Sequence, residues 1–150
     1  MKNRVSMVDV SPKPTVRREA SAEGKIKLRR ETVELIKAGR VEKGNPLEVA
    51  KLAGILAAKN TSQIIPLCHP LPLSHVGIDV NVVGRDTVRV VASVKTEAKT
   101  GVEMEALTGA ATALLTVWDM VKMYEKDRRG QYPDTEILEL KVKRKVKRRL

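Results

Sequence analysis

Two lysines, one aspartate and one histidine stand out in this 150-residue chain as groups that could move protons or hold an anion. His69 lies between Cys68 and Pro70, with Pro66 and Pro72 close by. Histidine changes charge near neutral pH, and the flanking prolines would hold its ring in place. A histidine satisfied by local hydrogen bonds explains the position equally well. Cys68 is not expected to act with it as a nucleophilic dyad, because such pairs normally meet from distant positions. Cys68, His69 and His75 are also too few to make an obvious metal site. The segment Lys43-Gly44-Asn45-Pro46 places a lysine and a glycine ahead of a helix start. Free N–H groups and the positive helix end attract anions there. Taken alone, it reads better as an ordinary polar linker.

Asp119 and Lys122 are three residues apart and share one face of a helix. Asp119 interrupts the run ALLTVWDMV, and a carboxylate in an apolar run is costly unless paired. A structural ion pair is the plain explanation, and an acid–base pair in a cleft is the sharper one. Glu103 and Glu105 sit near the start of the same helix, where carboxylates complement the dipole. On one straight helix Glu105 and Asp119 lie about 21 Å apart and face nearly the same side. One helix therefore cannot bring both to a single bond. Either the ligand is long or a second chain completes each site, which points to an oligomer.

The elements that must position these groups follow from the apolar pattern. Residues 1–14 show little periodicity and read as an irregular arm. Thr15–Ala22 alternates, with Val16, Arg18 and Ala20 on one side, and the strand could continue past Gly24 into KIKL. Glu31–Lys37 reads as a short helix stopped by Gly39. Asn45 caps the next helix with Pro46 at its first position, and Leu47, Ala50, Leu52, Ala53, Ile55 and Leu56 form its apolar stripe. Between Ser62 and Ser74, Pro66, Pro70 and Pro72 forbid a helix or a central strand. The result is an apolar loop that should pack against something. Val76–Val82 and Val88–Val94 alternate about Gly84-Arg85-Asp86 and predict a β-hairpin. Val102 to about Glu125 is a long helix, and Leu138, Leu140 and Val142 mark a last strand running into a basic tail at 141–150. Collapsing the two early helices into one layer gives βαββαβ. The expected fold class is α+β and ferredoxin-like, an antiparallel sheet with helices on one face, in a single domain spanning 1–150.

Composition narrows the function classes. The net charge is +11, but seven of the 29 basic residues lie in the last ten positions, leaving 22 against 18 acidic ones. The body is thus only mildly basic, and the tail reads as a solvated end before it reads as a polyanion site. Trp118, Tyr124 and Tyr132 are the only aromatics, too few for a base-stacking platform. Nucleic acid is not an expected partner on that count, and a polyanion-binding module using the tail is the rival to an enzyme. The single cysteine excludes an internal disulfide and suits a reducing, cytoplasmic interior. The N-terminus lacks the apolar core of a signal peptide, and no stretch is long enough to span a membrane.

Together the segments resemble one family, the cyclic pyranopterin monophosphate synthases of molybdenum-cofactor biosynthesis (accessory protein C). The matching pieces are MVDVS at Met7–Ser11, REA at Arg18–Ala20, and KG at Lys43–Gly44. After them come Ala53–Lys59, IPLCHPL at Ile65–Leu71, KTGVEMEALT at Lys99–Thr108, and Trp118–Lys122. They stand in family order and spacing from residue 7 to about 127. The two long motifs are specific enough to exclude chance.

The resemblance implies a ferredoxin-like α+β fold. The implied substrate is a cyclised dihydro-GTP still bearing its triphosphate, the product a pterin with a cyclic monophosphate, and the leaving group pyrophosphate. It implies a homohexamer, a trimer of dimers with interface active sites. No metal or redox cofactor is implied, magnesium with the triphosphate being left open. By resemblance Asp119 is the catalytic aspartate, Lys122 its lysine partner, and Lys43 the other essential lysine, while Leu67, Cys68 and His69 match a substrate-binding loop. Met104 and Glu105 match a second binding segment, with Glu103 beside it, and Asp9 and Arg18 are supporting polar residues. Clustering Lys43, Lys122 and Arg18 would depress the lysine pKa values and bind the triphosphate. One departure is visible: the basic KVKRKVKRRL stands where many members carry a glycine-rich lysine–serine segment.

Overall fold

The computed structural model describes residues 3–150. Its elements are β1 (Val16–Lys27), α1 (Arg30–Lys37), α2 (Pro46–Lys59), α3 (Thr61–Ile64), β2 (Leu73–Val83), β3 (Thr87–Ala98), α4 (Glu103–Glu125) and β4 (Glu136–Arg148). The four strands form one antiparallel sheet in the order β2-β3-β1-β4. This is the ferredoxin-like arrangement expected from the element order. Core residues come from alternate positions of each strand, such as Ala20, Ala22 and Ile26 of β1 and Val88, Val90, Ala92 and Val94 of β3. The helices α2 and α4 lie over that face and close the core with Ala50, Ala106, Ala110, Ala113, Leu114 and Val117.

The way α2 meets α4 corrects the expected stripe. Leu52 and Leu56 point outward, Leu52 being 60% exposed, and Val49 is exposed beside them. The buried face is small instead: Ala50, Gly54, Ala57 and Ala58. The reason is backbone proximity. A Cβ placed on Gly54 would lie 3.0 Å from the Gly109 carbonyl oxygen, and one on Gly109 would lie 3.1 Å from that of Gly54. The two helices touch main chain to main chain, which leaves no room for leucine between them. Asn45 caps α2 as expected, its side chain accepting the Leu47 N–H at 3.0 Å. Such a cap contributes about 1 kcal/mol.

Two further expectations change. The apolar loop begins with a helical turn, Thr61–Ile64, which fits before Pro66 because Ile65 is already extended. Ile64 and Leu67 are exposed, so within one chain the loop is only partly packed. The last ten residues are not a free tail either. β4 runs to Arg148 and pairs with β1 along its length, Ala20 opposite Lys145 and Arg18 opposite Lys147. Paired backbone holds this edge strand in place while its charged side chains stay in water.

Candidate active site

The long helix α4 carries a cluster at each end. At the C-terminal end Asp119 Oδ1 lies 3.1 Å from Lys122 Nζ, one helical turn on. Lys43 arrives from the loop between α1 and α2, its Nζ 3.4 Å from Asp119 Oδ2 and 3.1 Å from the Asp119 carbonyl oxygen. Two ammonium groups thus converge on one carboxylate. The Asp119 carboxyl is held below the usual aspartate range, chiefly by the hydrogen bond from Lys122 and next by that from Lys43. The side chain is 59% exposed, so Asp119 is not a buried charge but a surface one with two partners. Its apolar neighbours in sequence turn inward, as Val117, Met120 and Val121 do.

At the N-terminal end the environment is the reverse. Glu105 is 3% exposed, and its Oε1 has no hydrogen-bond partner. Its Oε2 lies 3.9 Å from Cys68 Sγ, which the proline-stiffened loop brings up. Burial raises the Glu105 pKa, with Glu103 adding to the rise and hydrogen bonds opposing it. The Cys68 thiol is pushed up too, first by burial and then by the Glu105 and Glu103 charges, so it is a poor nucleophile. Glu103 Oε2 stands 2.8 Å from Lys145 Nζ on β4, an ion contact without hydrogen-bond geometry. Met104 and Leu67 are exposed beside this cluster.

The N-terminal arm is tied to the same end. His69 Nε2 lies 2.6 Å from the Val8 carbonyl oxygen. A carbonyl only accepts, so Nε2 carries the proton. Asp9 Oδ1 accepts the Ser11 hydroxyl at 2.6 Å and the Ser11 N–H at 2.9 Å. Those bonds lower its pKa, hydroxyl first, with smaller help from the Lys99 and His69 charges. Lys99 Nζ donates to the Ser11 carbonyl at 3.1 Å. Arg18 is buried and donates to the carbonyls of Ala98 and Lys99 at 3.1 and 3.2 Å.

The structure therefore brings together Lys43, Asp119 and Lys122, and separately Asp9, Arg18, Cys68, His69, Glu103 and Glu105. It does not join the two groups. Arg18 belongs to the second, so the expected cluster of Arg18 with Lys43 and Lys122 does not form within one chain. The cause is the uninterrupted helix, along which Glu105 and Asp119 are about 21 Å apart. Lys99 and Lys145 were not singled out from sequence. Lys145 was hidden by the strand itself, because the β1–β4 register slips twice, at Glu139 (φ 54°) and again at Lys143. The two slips cancel in parity, leaving Lys145 in phase with Ile137, but the second slip alone takes it out of phase with Val142, so the apolar alternation ahead of it points to the wrong lysines. Among the described residues no three His, Cys, Asp or Glu side chains converge as a metal-ligand set. A surface depression of about 190 Å³ lies on the open face of the sheet, against Glu19, Ser21, Lys95 and Arg144, away from both clusters.

The chain is similar to known proteins over nearly its full length. Residues 7–147 match the MoaC family. A probable cyclic pyranopterin monophosphate synthase of Sulfurisphaera tokodaii is 56% identical over 141 residues, 94% of this chain and 93% of that one. Proteins of the same name from Pyrococcus furiosus and Saccharolobus solfataricus are 54% and 52% identical, covering 95% and 98% of this chain and 91% and 98% of their own.

Proposed function

The chain belongs to the MoaC family, and from that premise we propose that it is a cyclic pyranopterin monophosphate synthase of molybdenum-cofactor biosynthesis. It converts a cyclised dihydro-GTP to cyclic pyranopterin monophosphate and releases pyrophosphate. The observation that carries the residue assignment is the convergence of Lys43 and Lys122 on Asp119. Reworking a purine ring into a pterin requires proton transfers at carbon and nitrogen. The two ammonium groups supply movable protons, and Asp119, kept anionic by them, orients both. Glu105 has the opposite disposition. Its raised pKa favours a carboxyl able to donate a hydrogen bond, and its unpartnered Oε1 is a ready contact for substrate. Arg18, Lys99 and Lys145 add positive charge at that end, suited to a triphosphate whose pyrophosphate must be held in line. Leu67, Met104 and His69 line the same end, and Asp9 orders the arm beside it.

A homohexamer, a trimer of dimers with interface sites, is part of this reading. Its support is that each chain holds two half-sites about 21 Å apart. An apolar surface is also left uncovered at Val49, Leu52 and Leu56, with Leu115 of α4 57% exposed. A second copy resolves both by setting one chain's Asp119 end against its partner's Glu105 end. The lone cysteine suits a cytoplasmic setting. Among the described residues no helix is long and apolar enough to cross a membrane. No resident metal or redox cofactor is part of the proposal, and magnesium would enter with the triphosphate.

The test is anaerobic incubation of the purified protein with the cyclised dihydro-GTP, following pyrophosphate and the pterin by mass spectrometry. Both products should appear in equal amounts. Lys43→Ala and Asp119→Ala should each abolish turnover while assembly and melting temperature stay near the parent's. Variant activity within a few-fold of the parent's would overturn the residue assignment.

A further inference from the structure

Lys43 sits on a loop, and a lysine side chain has four rotatable carbons with which to wander. Yet its Nζ lies within hydrogen-bonding distance of two Asp119 oxygens. The backbone beneath it explains this. The Gly44 N–H donates to the Val41 carbonyl at 3.1 Å, closing a turn with Glu42 and Lys43 at its centre. Gly44 adopts φ +118°, which favours glycine. Val41 is buried on one side of the turn, and Asn45 caps α2 on the other. Between these anchors the Glu42 N–H is met at 2.8 Å by the hydroxyl oxygen of Tyr124.

We infer that Tyr124 is a positioning residue for Lys43: its hydroxyl, carried on α4, accepts the Glu42 N–H and fixes the turn that presents the Lys43 ammonium to Asp119. Tyr124 lies on the same helix as Asp119 and Lys122, so this bond references the loop lysine to the element that holds its partners. The ring packs against the core, which limits where the hydroxyl can go. The final turn of α4 is itself clamped. The Tyr124 carbonyl accepts from Arg29 at 3.1 Å. Buried Glu125 accepts the Arg29 N–H and the hydroxyls of Thr32 and Thr135. That clamp joins α4 to the start of α1, whose far end leads into the Lys43 loop.

The inference rests on the reading of Lys43 as part of the reacting cluster, so the experiment needs one readout that does not depend on turnover. Tyr124→Phe keeps the ring and removes the acceptor. In the full-length protein it should lower kcat on the order of ten-fold and leave KM within about two-fold. The unfolding temperature should stay within a few degrees. The second readout is the titration of the Asp119 carboxyl, followed by carbon-13 NMR of aspartate-labelled protein. With Lys43 released, the Asp119 pKa should rise toward its ordinary value. In a Lys43→Ala background, Tyr124→Phe should move it no further. Tyr124→Leu also removes the acceptor and should reproduce both effects if Tyr124→Phe fails to fold. An unmoved Asp119 titration overturns the inference whatever happens to kcat. A moved titration in a protein that turns nothing over upholds the positioning and instead removes the proposed reaction.

Discussion

The two ends of α4 hold carboxylates of opposite character. Asp119 is exposed, paired with two lysines, and shifted toward the anion. Glu105 is buried, lacks a cation, and is shifted toward the neutral acid. The backbone alone would push the other way, since the free N–H groups at the helix start lower the Glu105 pKa. What packs against each end makes the difference: the Lys43 turn at one, the proline-stiffened loop with Cys68 at the other. A pair of carboxyls whose surroundings push their pKa values apart is how one site runs both acid and base chemistry. Here the pair is useful only if the two ends meet, and one rigid helix keeps them apart.

The largest effect expected from this contrast is complementation. Asp119→Ala and Glu105→Ala should each be inactive as pure assemblies. Mixed assemblies formed from equal amounts of the two should recover about a quarter of parental activity, because some interfaces unite the intact half of each chain. No recovery in verified mixed assemblies would mean that each chain works with its own two ends. A smaller but related effect is expected on α2. Leu52→Asp introduces charge into the exposed apolar face and should shift the protein to smaller species in sedimentation, with turnover falling in step. A dissociated variant that keeps full turnover would break the comparison outright, since the half-sites would then be independent.

How far these features could be read from sequence depended on whether local pattern or close packing decided them. The hairpin about Gly84, the cap at Asn45 and the length of α4 were legible, because alternation, a capping side chain and helical periodicity are local. The Lys43, Asp119 and Lys122 positions were legible as motifs, but the cluster expected was Lys43 and Lys122 with Arg18, which lies instead at the other end. The outward face of α2 was not. Of the expected stripe Ala50 is buried and Leu47 and Ile55 pack against the core, but Leu52 and Leu56 turn outward because the Gly54–Gly109 backbone contact leaves no room for them. The same holds for Lys145, which a register slip after Val142 turns to the helix side without any sign in the periodicity. Tyr124 was noted only as one of three aromatics, because a side chain accepting a main-chain N–H from a distant loop leaves no mark in spacing.

The smallest expected effect bears most directly on the Glu105 end. Its folded pKa lies above that of the unfolded chain, so the folded state binds more protons between those two values. Stability must therefore fall as pH rises through that window, and above it the protein carries the full cost of a buried carboxylate. Glu105→Gln removes the charge and keeps the shape. At neutral pH it should raise the melting temperature by about a few degrees, and the gain should vanish once pH falls below the ordinary glutamate value. Asp119→Asn should behave in the opposite sense. A carboxyl with a lowered pKa contributes stability above its unfolded value and loses it as pH falls through the folded one. At this exposed position the change should be small, since screened surface pairs contribute little. Melting curves of the two variants from pH 3 to pH 8 would show lines that diverge from the parent in opposite directions as pH rises. Divergence in the same direction would mean that the Glu105 charge is already met by a cation from a neighbouring copy, and that the contrast between the two ends exists only in the isolated chain.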